Sequence, residues 1–61
     1  MQIHKLTYGN SMMLLIGDIT IYFTCYEKHA TGVNLLDGER LVVTLHFGHA
    51  KEFYKAWRAM R

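Results

Sequence analysis

The chain has 61 residues, of which 51% are hydrophobic and 20% charged, with a formal net charge of +2, one Cys and no Pro. Half-apolar composition with 13% aromatic residues excludes a disordered segment and leaves room for one small domain, residues 1–61. A lone Cys25 excludes an internal disulfide framework and a cysteine-rich zinc module, and the longest apolar run, Met12 to Ile16, is far short of the ~20 residues of a membrane span.

The opening residues MQIHKLTYGN contain no apolar stretch of secretory type, so the expected setting is cytoplasmic. Gly9-Asn10, Gly17-Asp18, Gly32 and Asp37-Gly38 then punctuate the chain, and such pairs favour the positive φ of tight hairpin turns. Between them lie segments of strand length. Ile3 to Tyr8 suits an edge strand, with Lys5 discouraging edge-to-edge pairing. Met12 to Ile16 is apolar throughout, as a central strand covered on both sides would be.

Ile19 to Tyr26 alternates with a period of two. It sets Ile19, Ile21, Phe23 and Cys25 against Thr20, Tyr22, Thr24 and Tyr26. Val33 to Leu36 is expected to pair across Asp37-Gly38-Glu39 with Arg40 to Phe47, where Leu41, Val43, Leu45 and Phe47 oppose Val42, Thr44 and His46. The period changes after Gly48: in HAKEFYKAWRAMR, Ala50, Phe53, Trp57 and Met60 form one helical stripe, and Lys51, Lys55 and Arg58 line another. The expected fold is α+β, a small antiparallel β-meander of four or five strands with one C-terminal α-helix packed on one face.

One short helix covers one face of one sheet. The opposite face, carrying Tyr22, Tyr26, Val42, Thr44 and His46, is therefore the expected partner-binding surface, and its cover is expected to be a second copy of the chain in a two-fold dimer. The helix is where positive charge concentrates. The last 13 residues hold Lys51, Lys55, Arg58 and Arg61 against Glu52, while the rest holds three basic and four acidic residues. That makes Lys51, Lys55 and Arg58 a second candidate site, for a protein partner or for nucleic acid.

Chemistry is thinly represented. His46-x-x-His49 is the most suggestive metal spacing, but a site needs three or four converging ligands, so no metal and no cofactor are expected. Cys25, on the apolar side of its strand, reads as a core residue, and no phosphate-binding glycine loop or carboxylate pair is present. The tyrosines Tyr8, Tyr22 and Tyr26 suit base stacking, but they suit an interface equally. The expected function is a non-enzymatic interaction protein that binds and modulates or inhibits a larger protein. From size alone, its sharpest form is a phage or mobile-element inhibitor of a host or defence enzyme. The alternative is a small nucleic-acid-binding regulator using the basic helix.

Overall fold

A computed structural model describes residues 1–7 and 9–60; Tyr8 and Arg61 lie outside the described residues. The elements are β1 (Gln2–Lys5), β2 (Met12–Ile16), β3 (Ile19–Phe23), β4 (Cys25–His29), β5 (Gly32–Asp37), β6 (Arg40–His46) and α1 (Phe47–Met60). The α+β class is as expected. The single meander of four or five strands is not: six strands form two three-stranded antiparallel sheets, ordered β1-β2-β3 and β4-β5-β6.

The difference originates at Thr24. The continuous alternation of Ile19 to Tyr26 predicts one strand, but the chain leaves the first sheet after Phe23 and enters the second at Cys25. Thr24 fixes that transfer. Its amide donates to the Leu36 carbonyl at 2.7 Å, and its Oγ1 accepts from the Gly38 amide at 2.8 Å, tying the bend to the β5–β6 turn. Thr24→Val keeps the shape and removes the acceptor. We expect a loss of about 1–2 kcal/mol in urea denaturation, since the Gly38 amide then relies on water.

Changing sheets also reverses the alternation. Phe23 points into the core and Cys25 is exposed, while Tyr26 packs inward, contrary to the expected core cysteine and open-face tyrosine. A second phase change occurs in β6. An irregularity between Leu35 and Leu36 pairs Leu35 with Val43 but Leu36 with Leu41, so Val42 is the extra residue of a bulge. Leu41, expected on the helix side, is consequently 54% exposed.

Three of the hairpin connections follow the glycine signals, the first being that between β1 and β2, where Gly9 has a φ of 73°. Gly17 and Gly38 have φ of 54° and 64° at the first position of two-residue loops, where a side chain would be strained. The Ala30-Thr31 turn between β4 and β5 contains no positive-φ residue and is held by other means, described below.

Ile3, Met12, Leu14 and Phe23 from the first sheet, Val33, Leu35 and Leu45 from the second, and Ala50 and Phe53 from α1 form one core. Each sheet thus contributes one face, and α1 closes the space between them. The second sheet thus covers the inner face of the first, whose outer face still leaves Met13, Leu15 and Tyr22 only partly covered. β2 is the central strand of its sheet as expected, with Met12 and Leu14 buried and Met13 and Leu15 half-buried on the outer side. β1 is an edge strand with Lys5 exposed, also as expected.

Candidate interaction surface

The residues expected to share one sheet face are dispersed. Tyr22 lies on the outer face of the first sheet in a row with Met13 and His4. Tyr26 lies on the inner face of the second, its ring 5.0 Å from Trp57 and 5.4 Å from Phe53, centroid to centroid. Val42 is half-buried at the bulge. Only Thr44 and His46 occupy the outer face of the second sheet, and that face is polar. Thr44 Oγ1 donates to Asn34 Oδ1 at 2.7 Å, with Glu27 completing the row.

Lys51, Lys55 and Arg58 are all exposed on α1, as expected. Helical spacing of i, i+4, i+8 and i+11 adds Phe47 to their row and keeps the four within about 80° of arc. Glu52 falls on the flank of this row. The helix begins two residues earlier than the period change suggests, because Phe47 itself forms its first residue.

Phe47 is the anomaly of the structure. Its φ is 47°, the left-handed region where a bulky side chain costs about 1–2 kcal/mol, and its side chain is 72% exposed. Neither backbone preference nor burial accounts for a phenylalanine there. The alternation of Arg40 to Phe47 places Phe47 on the core side of a strand, but that strand ends one residue earlier.

Beside Phe47 lies a cluster assembled from three segments. His29 on β4 and His46 on β6 both pair with Gly32 on the intervening β5. With no side chain between them, their rings stand edge to face at 5.7 Å. Thr31 joins them: its Oγ1 is 2.7 Å from His46 Nδ1 and 3.2 Å from His29 Nδ1. Its amide donates to His29 Nδ1 at 3.2 Å, and its carbonyl accepts from the Phe47 amide at 2.9 Å. The His46-x-x-His49 spacing pointed at the wrong partner, since the imidazole that meets His46 comes from across the sheet. Among the described residues no three metal-ligating side chains converge.

Thr31 Oγ1 and His46 Nδ1 have the spacing of a hydroxyl nucleophile and its base. Here the hydroxyl instead bridges two imidazoles on an exposed turn. A groove of about 730 Å³ is lined by Lys5, Met12, Cys25, Trp57 and Met60 among others, and contains none of the three cluster residues. This part of the surface presents an exposed aromatic, a row of three cations and a hydrogen-bonded polar corner. No family model, no curated protein and no solved structure matches this chain.

Proposed function

We propose that the protein is a non-enzymatic interaction protein that docks Phe47 into an apolar pocket of a larger protein, with Lys51, Lys55 and Arg58 facing carboxylates around that pocket. The observation that supports this reading is the cost of Phe47. A chain of this length has a total stability of about 3–9 kcal/mol, so a strain of 1–2 kcal/mol is a substantial fraction of it, and the fold recovers none of it by burying the ring. An exposed, rigid aromatic beside cations is the composition of a binding hot spot. Occupying the pocket of an enzyme would inhibit it, and a host or defence enzyme is the target class that suits so small a protein.

The test pairs stability with binding. Phe47→Gly removes the strain and is expected to raise stability by about 0.5–1 kcal/mol in chemical denaturation. Phe47→Ala is expected to weaken capture of the partner at least tenfold, about 1.4 kcal/mol, with the fold intact. Undiminished capture by the Phe47→Ala protein would refute the reading.

A second reading, nucleic-acid binding, is favoured by the absence of a carboxylate within the Lys51–Lys55–Arg58 row. It predicts affinity that falls steeply with salt and a weaker slope in Lys55→Glu. Phe47→Ala would leave that affinity unchanged.

Self-association is proposed at the outer face of the first sheet, where Met13, Leu15 and Tyr22 are only partly covered. Three strands spaced about 4.8 Å apart and five residues rising about 3.3 Å each give a face of roughly 230 Å². Stable dimers bury about 800 Å² per partner, so this face alone supports only weak, concentration-dependent pairing.

A further inference from the structure

We infer that His29, Thr31 and His46 form a proton-operated latch on Phe47, in which a proton arriving at His29 Nδ1 displaces the Thr31 amide and frees the turn that holds the Phe47 backbone. A backbone amide can only donate, so the bond from Thr31 N–H to His29 Nδ1 requires that nitrogen to carry a lone pair. His29 is therefore neutral in this arrangement, with its proton on Nε2.

His46 is under no such constraint. If its Nδ1 is bare, the Thr31 hydroxyl donates to it. If its Nδ1 is protonated, the hydroxyl accepts across the same 2.7 Å and turns its own hydrogen toward His29 Nδ1, 3.2 Å away. Both states leave His29 Nδ1 an acceptor. The corner thus holds one proton on His46 without rearranging, whereas a proton on His29 Nδ1 turns two donors against each other. The second imidazolium would also stand 5.7 Å from the first.

The consequence reaches Phe47 through Thr31, whose carbonyl accepts the Phe47 amide. The Ala30-Thr31 turn lacks the positive-φ glycine found in each of the other three hairpin loops, and the side-chain bonds of Thr31 and His29 add to the strand pairing that closes it. The other ionisable groups around the cluster are Glu27, one row away on the outer face of β4, and His49 and Lys51 in the first turns of α1. β5 presents only Gly32 and Asn34 there. As regulation, the inference rests on Phe47 being the docking residue, but the latch itself is read without any partner.

Nitrogen-15 NMR of the imidazoles and amide exchange in the intact chain, followed from pH 8 to pH 5, test it. At pH 8, His29 is expected as the Nε2–H tautomer. As His29 protonates, exchange at Thr31 and Phe47, corrected for intrinsic pH dependence, is expected to rise roughly fivefold, the worth of one lost hydrogen bond. His29→Gln offers a carbonyl acceptor that does not titrate, and should remove the rise. An Nδ1–H tautomer of His29 at pH 8, or an equal rise in His29→Gln, overturns the latch. Loss of the latch with Phe47→Ala still failing to bind leaves docking standing; an intact latch with full Phe47→Ala binding removes docking alone.

Discussion

Gly32→Ala is expected to unfold the protein or leave it barely folded. A Cβ at this position would run into the Leu45 carbonyl oxygen, and would lie 2.8 Å from the Leu45 carbonyl carbon and 2.9 Å from His46 Cα. All of these are backbone atoms of β6, so no rotamer change relieves the overlap. β5 must move away from β6, and β5 is the central strand of its sheet, carrying the fully buried Val33 and Leu35. Separating the strands at the Gly32–His46 pair also breaks up the Thr31 and Phe47 contacts described above. We expect a cost of about 3 kcal/mol or more, against a total of about 3–9 kcal/mol for a chain of this length. Circular dichroism and urea denaturation measure it. Gly48→Ala is the control. Nothing lies within 4 Å of a Cβ there, its φ is not positive, and it sits in the first turn of α1, so that change should stabilise by about 0.5–1 kcal/mol. An unchanged urea midpoint for Gly32→Ala would mean that β5 and β6 are not paired in this register.

Gly32 illustrates what local pattern can and cannot convey. Gly17 and Gly38 are legible as turns because a positive φ in a two-residue loop is a local requirement. Gly32 resembles the same punctuation, yet its reason is the approach of a strand 13 residues away at Leu45. The helix was readable for the same kind of reason: Ala50 and Phe53 bury themselves at the spacing that a 3.6-residue period demands. β2 was readable as a central strand because apolar residues on both sides imply cover.

The sheet transfer at Thr24 was not readable. Alternation continues through it in sequence while reversing in space, so Ile19 to Tyr26 reads as one strand although its two ends belong to different sheets. From that follow the misplacement of Cys25 and Tyr26 and the assignment of Tyr22 and Tyr26 to a single open face. The bulge at Val42 works likewise, since one extra residue moves Leu41 to the other side without changing the pattern of residue types. The basic row of Lys51, Lys55 and Arg58 survived because helical faces depend on spacing alone. The association of His29, Thr31 and Phe47 is not legible locally, because it depends on the register of two hairpins, and imidazoles paired across a sheet leave no short-range spacing.

Tyr26→Ala should cost far more stability than Tyr22→Ala, although the two tyrosines look interchangeable in the sequence. Tyr26 is surrounded by the aromatic side of α1, with its ring 5.4 Å from Phe53, 5.8 Å from Tyr54 and 5.0 Å from Trp57, all edge to face. Phe23 from the other sheet meets the same Phe53 at 5.8 Å, so this aromatic group is where both sheets grip the helix. Removing the Tyr26 ring opens a cavity and discards three edge-to-face contacts, with an expected cost of about 3 kcal/mol. Tyr26→Phe keeps the ring and should cost less than about 1 kcal/mol, which separates packing from the hydroxyl. Tyr22, in contrast, is 56% exposed on the outer face of the first sheet. Its replacement should change stability by no more than about 0.5 kcal/mol. What it should change is sedimentation at high concentration, where the wild-type chain is expected to pair weakly and Tyr22→Ala less. Near-ultraviolet circular dichroism gives an independent reading: Tyr26→Ala should collapse the aromatic signal of the cluster, and Tyr22→Ala should leave it intact. Equal stability losses from the two substitutions would mean that Tyr26 does not join the second sheet to the helix.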